Sequence, residues 1–575
     1  MDTDNVTDRR QRSAGSVGPE RRVFQRRRMK RYEFLIPVTL EYGDHTITAE
    51  CLNVSAGGLR ILAPVFLPVD TKLMLQMSFN RNMSVMGFAG VVRNTAVHEP
   101  GGSAYKSSIM FTDIGDVERK VLHACLEELD AVQPEGAETD RPHASTNRFQ
   151  IVLTDKLISV NRLARRRVVI TGLGVISPIG IGKEAFLRAL IEGRSGIGMV
   201  TRFDVSELPT KLAAEVNGFD PLSFISPRKV RQMDRCTQMA VAAAILSLAD
   251  GGVNLEKINR EHVGVLIGTA IGGLRWAFEQ NSAFQAGGYR NIDPRSMIAT
   301  YPNAVSGQVS IEIGAKGRTD TISSGCASAG TAFGVAADLI QRGELDVVLV
   351  GGTENPIEPT VFSAMCAAGA LSTLNDIPAR TPRPFDAERD GPILGEGAGV
   401  LLFEELQHAL KRNATIYGEF RGFGTTSDAF SLSRTDPNGT QATRAVRMAL
   451  QNASLAPGDI DFVTAYGIAT PSCDWAEARV MKDVFGERAG KIPVTAIQSM
   501  TGYPWAAIGA FQLVTSCLAI SQGIVPPTLN YTVPDPNCDL NIARESTPQC
   551  NITNALTNLF GCGKNVSLIT SRFSV

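Results

Sequence analysis

Short apolar stretches alternate with polar residues between positions 34 and 113. The stretch FLIPVTLEYGDHTITAECLNVS (34–55) predicts two strands joined by a Gly-Asp turn. The series continues with GLRILAP, TKLMLQMSF, SVMGFAGVVRNTAV and SAYKSSIMF. Six or so short strands predict a small all-β barrel. Helical spacing in DVERKVLHACLEEL (116–129) predicts a helix that covers one end of it.

The pattern changes twice after residue 130. Residues 131–150 are polar and contain two prolines, which predicts a linker that we place at 131–165. From residue 166, continuous apolar strands such as RRVVITGLGVISPIG, LDVVLVGG, AGVLLFEEL, DIDFVTAYG and NVSLITSRF alternate with Ala/Leu-rich helices. This alternation predicts parallel-type sheet covered by helices, in two α/β halves at 166–415 and 416–575. The apolar stretch 506–526 is interrupted by Gln, Thr, Ser and Gly, so we expect a buried helix there.

Composition narrows the possible environments of this multidomain chain. Its 575 residues carry a net charge of −1, which gives no general attraction for nucleic acid or anionic membrane. The ten cysteines form no CxxC pair and no Cys/His cluster, so we expect reduced thiols, no metal site and a cytoplasmic location. The polar N-terminus has no apolar core, so we do not expect it to be a signal peptide, and residues 1–20 are expected to be disordered.

A basic segment, RRVFQRRRMKRYEF (21–34), precedes NVSAGGLRI (53–61) in the predicted barrel. A charge run is usually a solvated surface, and a nucleic-acid tail would normally interleave aromatic residues with the basic ones. Together, however, the two motifs resemble the PilZ domain family over residues 21–130. The family's RRxxxR pattern matches Arg26, Arg27 and Arg31, and its [DN]xSxxG pattern matches the set Asn53, Ser55 and Gly58.

The PilZ resemblance implies that these six residues bind cyclic di-GMP. Guanidinium groups suit this ligand because they bind phosphate bidentately and stack on guanine. The alternative is a barrel that keeps the fold without the ligand, as some PilZ-like domains do.

The segment TISSGCASAGTAFG (321–334) places Cys326 among small residues, between a strand-like approach and a good helix. A lone cysteine is usually a buried packing residue. A thiol at a helix N-terminus can instead become nucleophilic, because the helix dipole stabilises the thiolate.

Residues 166–575 resemble the β-ketoacyl-(acyl carrier protein) synthases of the thiolase-like superfamily nearly end to end. The matching motifs include VVITGLGVISPIG, SSGCASAG, VVLVGGTE, RPFDAERDGPILGEGAGVLLFEEL and QSMTGYPWAAIGA. The resemblance implies a duplicated, five-layered αβαβα fold, usually dimeric. It also implies that Cys326 accepts an acyl chain from acyl carrier protein, while two histidines and a lysine support decarboxylation of a malonyl thioester.

The residues at those supporting positions differ from the family's. Tyr466 and Tyr503 stand where the two histidines are expected, and Gln498 stands at the lysine position. No histidine follows His408, so no shift of alignment can restore the pair. The tyrosines either donate hydrogen bonds in a modified reaction or only fill the space left by the imidazoles.

At other functional positions the chain keeps only some of the family's residues. Cys562 occupies the oxyanion or gate position in GCGKN, where the family has a phenylalanine. Thr470 remains where the family contacts the phosphopantetheine arm, but Ile468 replaces the second threonine. The motifs FDAERDG and LGEGAG are intact, so Asp386, Arg389 and Glu396 are interpreted as scaffold.

Three hypotheses follow. The first is a divergent acyltransferase acylated at Cys326, weak or inactive in condensation and regulated by cyclic di-GMP. It requires no cofactor beyond the phosphopantetheine of its acyl carrier protein partner. The second is a non-catalytic partner resembling chain-length factors, in a heterodimer rather than a homodimer; such partners usually lack the nucleophile that is kept here. The third is a cyclic di-GMP receptor that uses the thiolase-like body for docking.

Overall fold

The computed structural model divides into two units, Met1–Ala164 and Arg165–Val575. It describes the backbone of seven strands between residues 36 and 154, with side chains there for Leu59, Arg60, Ile61 and Ile109, and it describes residues 166–376, 380–561 and 563–574. The predicted helix at 116–129 and the predicted disordered segment 1–20 lie outside the described residues.

The first unit is a closed β-barrel, as the alternating pattern predicts. Its strands are β1 Ile36–Tyr42, β2 His45–Ser55, β3 Gly58–Ala63, β4 Lys72–Phe79, β5 Met86–Val97, β6 Tyr105–Phe111 and β7 Phe149–Thr154. They follow one another around the barrel in the order β1-β2-β3-β6-β5-β4-β7. Leu59 and Ile61 are buried at alternate positions of β3. Ile109, which pairs with Leu59 from β6, is buried as well.

Strand β7 corrects the predicted linker at 131–165. It pairs in parallel with β1, with Val38 opposite Ile151, and antiparallel with β4, with Leu75 opposite Leu153. Its sequence, FQIVLT, has strand character, but the polar residues and prolines before it favoured a linker. The strand closes the barrel, because it covers the edges that β1 and β4 would otherwise expose.

The described residues of the second unit form thirteen strands. They are β8 Val168–Ser177, β9 Gly180–Ile181, β10 Gly198–Met199, β11 Leu212–Ala213, β12 Val263–Gly268, β13 Thr319–Ile322, β14 Val347–Glu354, β15 Gly397–Glu405, β16 Gly418–Ser427, β17 Phe462–Thr464, β18 Val494–Thr495, β19 Asn554–Gly561 and β20 Lys564–Ser571.

Its helices connect and cover these strands. They are α1 Lys183–Glu192, α2 Pro227–Val230, α3 Arg235–Gly251, α4 Leu274–Gly287, α5 Ser296–Thr300, α6 Ala304–Ile313, α7 Ser328–Gln341, α8 Pro359–Ala367, α9 Leu406–Lys411, α10 Thr440–Ala453, α11 Pro471–Phe485, α12 Gln498–Thr501 and α13 Ile508–Gln522. Short 3₁₀ turns lie at Pro221–Ser223, Arg260–His262, Gly288–Asn291, Pro457–Asp459, Gly486–Gly490, Trp505–Ala507 and Pro536–Cys538.

The strand order shows an internal duplication. The sheet runs β13-β12-β14-β15-β8 and then β16-β20-β19-β17-β18. The five strands of each half can be numbered in chain order: β8, β12, β13, β14 and β15 in the first half, and β16 to β20 in the second. From its outer edge to the centre, each half then has the same spatial order, 3-2-4-5-1. Strands β8 and β16 join the halves antiparallel, with Ile170 opposite Gly418.

The helices complete five layers, as the predicted thiolase-like fold requires. Helices α3 and α10 cover the outer faces of the two halves, while α7 and α13 lie between them and contact strands of both. The central helix α13 is consequently buried on all sides from Ile508 to Ile520. The stretch Trp505–Gln522 is the one helical segment of the described residues that is long and apolar enough to cross a membrane; 83% of it is buried inside the protein.

Candidate functional site

Cys326 lies in the turn between β13 and α7. Gly325 adopts φ 60°, a left-handed conformation that glycine accommodates without strain. Ser328 closes the turn, because its Oγ accepts from the Ser324 N–H at 2.9 Å and donates to the Gly325 carbonyl at 2.5 Å. Cys326 is 5% exposed and precedes the N-cap of a 14-residue helix, where the dipole favours a thiolate.

The small residues of this turn allow close packing against the second half of the fold. A Cβ built on Gly330 would lie 2.4 Å from Cδ1 of Leu559, on β19. At the end of β19, a Cβ on Gly561 would lie 2.9 Å from Cβ of Cys326 and 2.6 Å from Oη of Tyr466. Gly561 therefore forms a wall of the site, which the sequence analysis did not identify.

Two tyrosine hydroxyls and the thiol form a hydrogen-bonded series. The hydroxyl of Tyr503 donates to Sγ of Cys326 at 2.5 Å, and the hydroxyls of Tyr466 and Tyr503 are 2.5 Å apart. Because the single hydroxyl hydrogen of Tyr503 points to the sulfur, Tyr466 is the donor in the second bond. The two rings meet edge-on, with centroids 5.9 Å apart and an angle of 85° between planes.

Loops that follow β17 and α12 position these tyrosines. Tyr503 follows Gly502, which has φ 64°. The backbone N–H of Tyr503 donates to the Ile393 carbonyl at 2.8 Å. Tyr466 comes two residues after β17 and is 2% exposed. Although 177 residues separate Tyr503 from Cys326 in the chain, the fold brings their side chains into contact.

The backbone at Tyr466 is bound by a carboxylate that the sequence analysis missed. Glu477, on α11, accepts the N–H of Tyr466 at 3.0 Å and that of Gly467 at 2.8 Å. Burial raises the pKa of Glu477 to about 7, against the opposing effect of those N–H groups. The only sequence signal was an acidic residue between the alanines of WAEARVM, a pattern that also suits a solvated helix.

Gln498 does not reach the thiol. Its side-chain amide donates to the carbonyl of Tyr466 and, at 3.2 Å, to that of Ala465. A second buried glutamine, Gln512, donates to the same Ala465 carbonyl at 2.6 Å. The side-chain oxygens of both glutamines are buried without a hydrogen-bond partner. The position expected to replace a catalytic lysine thus supports the main chain that carries Tyr466.

Thr470 is the N-cap of α11 and makes no side-chain capping bond. Asp474, one turn later, accepts the N–H of Phe385 at 2.8 Å, and burial raises its pKa to about 7. Cys562 lies outside the described residues. The contact of Thr470 with a phosphopantetheine arm stays a prediction.

The residues interpreted as scaffold hold loops together. Asp386 accepts the N–H groups of Thr532 and Val533, and Arg389 pairs with Asp535 at 2.8 Å. Burial opposes ionisation of Glu396, but hydrogen bonds from its two arginine partners outweigh burial and lower its pKa. Those partners are Arg202 and Arg235.

The predicted ligand site of the barrel is only partly described. Asn53 and Ser55 lie near the end of β2, and Gly58 begins β3 opposite Ser55. A register shift between Cys51 and Asn53 marks a bulge in β2. Arg26, Arg27 and Arg31 lie outside the described residues. Among the described residues, no group of three or more His, Cys, Asp or Glu side chains could hold a metal ion.

Family models match both units. The β-ketoacyl synthase N-terminal domain matches residues 165–409, its C-terminal domain matches 417–532, and the PilZ domain matches 25–128. A 3-oxoacyl-[acyl-carrier-protein] synthase 2 from Coxiella burnetii is 40% identical over 411 residues, covering 71% of this chain and 99% of the relative. The enzyme of the same name from Synechocystis is 38% identical over 412 residues, covering 72% and 99%.

Solved structures agree with these sequence matches. The ishigamide ketosynthase/chain length factor aligns with a TM-score of 0.67 and 32% identity, covering 72% of this chain and all of the other. A beta-ketoacyl synthase from Burkholderia phymatum aligns with a TM-score of 0.67 and 34% identity, covering 71% of this chain and all of the other. The chain therefore belongs to the β-ketoacyl synthase family, with a PilZ domain ahead of its synthase domains.

Proposed function

We propose that this chain is a cytoplasmic acyltransferase in which Cys326 accepts an acyl group from acyl carrier protein, with weak or no decarboxylative condensation. The observation that carries the proposal is the hydrogen bond from Tyr503 to the Cys326 sulfur, backed by Tyr466. A donor aimed at sulfur stabilises a thiolate, as does the adjacent N-terminus of α7.

Acylation is a thioester exchange. The thiolate of Cys326 attacks the carbonyl carbon of the acyl thioester, and a carbon–sulfur bond to Cys326 forms. The bond to the phosphopantetheine sulfur then breaks, and that sulfur takes up the proton that Cys326 released. Thr470 is proposed to contact the phosphopantetheine arm, and Cys562 to occupy the oxyanion or gate position.

Decarboxylative condensation requires more stabilising groups in the site than acylation does. Enolate charge must be stabilised as carbon dioxide leaves, and phenols with an ordinary pKa of about 10 are poor bases near neutral pH. In the free site the two tyrosine hydroxyls bond to each other and to the Cys326 sulfur, and neither carries a positive charge. Gln498 brings no cation, and its amide binds main-chain carbonyls instead.

Intact-mass measurement after incubation with acyl-carrier thioesters tests acylation. We expect an adduct on the natural chain and none on Cys326→Ala; absence of an adduct at every chain length would refute the proposal. Carbon dioxide release from malonyl carrier protein tests condensation. We expect little release, and more from the double variant Tyr466→His, Tyr503→His if the site is otherwise competent.

Regulation by cyclic di-GMP is proposed from the PilZ domain. Arg26, Arg27 and Arg31 would bind the phosphates and guanines, and the turn bearing Asn53, Ser55 and Gly58 would place backbone donors near the ligand. Calorimetry on the full chain tests binding, and the acylation rate with and without the ligand tests regulation.

The similarity to the ishigamide ketosynthase/chain length factor favours a second candidate, a partner that pairs with an active ketosynthase. Co-purification with a histidine-containing ketosynthase would support this heterodimer, whereas a homodimer that is acylated at Cys326 would support the first proposal. A chain that binds cyclic di-GMP but forms neither adduct nor heterodimer would be a receptor that docks through its synthase portion.

A further inference from the structure

A cavity of about 410 Å³ lies between α10 and α11, in the C-terminal half of the synthase portion. The two helices pack closely where α10 begins, since a Cβ on Gly439 would lie 2.6 Å from Cγ2 of Val480. The residues that line the cavity come from both helices and from the loop before α10: Asn438, Thr440, Thr443, Arg447, Arg479 and Asp483.

Two arginines dominate the charge of this cavity. Arg447 donates to the main-chain carbonyl of Asp483 at 3.1 Å, and Arg479 donates to the side-chain oxygen of Asn438 at 3.2 Å. Both acceptors are neutral, and within the described part of the chain neither guanidinium forms an ion pair with a carboxylate. Each arginine therefore keeps its charge available to a bound anion, and these bonds orient the two groups beforehand.

Two further features supply donors. The N-cap of α10 is Gly439, which has no side chain to bind the first N–H groups of this 14-residue helix. Thr443, one turn into the helix, is 6% exposed, and its hydroxyl oxygen is buried without a hydrogen-bond partner. A buried polar group without a partner carries a free-energy cost that a ligand can remove.

We infer that this cavity binds a phosphorylated small molecule. Arginine forks, a helix N-terminus and threonine hydroxyls together are the donors that phosphate oxygens accept. The cavity also has room beyond one phosphate group, and Asp483, its only acidic residue, can accept a hydroxyl of the remaining ligand. This site is separate from the acyl-accepting cysteine, so the inference does not depend on the proposed acyl transfer.

Calorimetry on the full chain with inorganic phosphate and with pyrophosphate tests the site. We expect Arg447→Ala and Arg479→Ala each to weaken binding about tenfold or more, because each removes a charge-assisted hydrogen bond. Asp483→Asn is expected to tighten binding, since it removes a like charge but keeps the main-chain carbonyl that Arg447 uses. Thr443→Val, which preserves shape, is expected to weaken binding.

The matched control is Arg444→Ala, an exposed arginine on α10 outside the cavity lining. It should leave binding unchanged. All variants are measured in an Arg27→Ala background, which removes a proposed phosphate contact of the barrel from the signal. Absence of binding by either probe would overturn the inference. Equal weakening by Arg444→Ala and Arg447→Ala would also overturn it, because non-specific attraction to a basic helix would then account for the binding.

Discussion

Replacing Tyr503 by phenylalanine removes one atom from the candidate site. The hydroxyl of Tyr503 is both the donor to the Cys326 sulfur and the acceptor from Tyr466. Phenylalanine keeps the ring and its edge-on packing, so the substitution tests the hydrogen bond rather than the shape of the site. We expect the thiol of the variant to be less reactive at neutral pH.

The size of the expected effect follows from how much more strongly the Tyr503 hydroxyl bonds to the thiolate than to the neutral thiol. A hydrogen bond to a charged group contributes about 1.5–3 kcal/mol, and one to a neutral group about 0.5–1.5 kcal/mol. Only the difference, about 1–1.5 kcal/mol, favours the thiolate, and it corresponds to roughly a tenfold change in thiolate population. Solvent screens little of this, because Cys326 and Tyr503 are only 5% and 6% exposed.

The assay is the rate of iodoacetamide modification at Cys326 across a pH series, followed by mass analysis of the peptide that contains it. In Tyr503→Phe the rate at neutral pH should fall about tenfold, and the rise of the rate with pH should move to higher pH. Tyr466→Phe should have a smaller effect, because the hydrogen bond to the sulfur comes from Tyr503 and the Tyr466 hydroxyl bonds to the Tyr503 hydroxyl. Thermal unfolding of both variants is measured alongside, since each loses a buried hydrogen bond.

Two results would refute this reasoning. An unchanged pH profile in a folded Tyr503→Phe variant would mean that the hydroxyl does not stabilise the thiolate. A Tyr466→Phe effect as large as that of Tyr503→Phe would mean that the tyrosines act through packing and not through a directed series.

Three further predictions concern other parts of the chain. Gly561→Ala should abolish the proposed acylation, because the added Cβ would lie 2.9 Å from the Cβ of Cys326 and 2.6 Å from the Tyr466 hydroxyl; Gly490→Ala, where a Cβ meets nothing within 4 Å, should leave the intact-mass adduct unchanged. The pKa of Glu477 is about 7, raised from 4.5, so the folded state binds more protons than the unfolded state between these values and the free energy of unfolding should fall as pH rises through them. Glu477→Gln cannot ionise, and denaturant unfolding at a series of pH values should show a shallower fall; an unchanged slope would contradict this. Arg27→Ala should abolish cyclic di-GMP binding by calorimetry, whereas Lys30→Ala, inside the same basic segment, should retain it.

Elements with strong local patterns were predictable from the sequence. Helix α7 follows from GTAFGVAADLIQRGE, and the buried helix α13 follows from the apolar stretch at 506–526, because both patterns are complete within one segment. Strand β7 was missed for the opposite reason. Its partners β1 and β4 are remote in sequence, and six residues after a polar, proline-containing segment do not specify them.

The composition of the candidate site came from family resemblance rather than from spacing. Cys326, Tyr466 and Tyr503 are far apart in the chain, and no periodic pattern relates them. The direction of the hydrogen bonds among them required coordinates. Glu477 was missed because burial of a helical glutamate depends on what packs against the helix. The hydrogen bonds of Gln498 to main-chain carbonyls were not predictable, because resemblance fixes a position but not a side-chain contact.

The polarity of the site distinguishes the two reactions that the family resemblance allows. The groups that bond to the sulfur or support its neighbours include phenols and side-chain amides, none of which carries a positive charge, and the carboxyl of Glu477, whose pKa burial raises to about 7. Decarboxylation would bring a malonyl carboxylate into this buried region and convert it to an enolate, and an unpaired buried charge is costly. Thioester exchange begins and ends with neutral sulfur and passes through charge only at the thiolate and the tetrahedral oxyanion. A thiolate at Cys326 would lie beside the N-terminus of α7 and the Tyr503 hydroxyl, both of which would stabilise it, and this is the ground on which we propose acyl transfer rather than condensation.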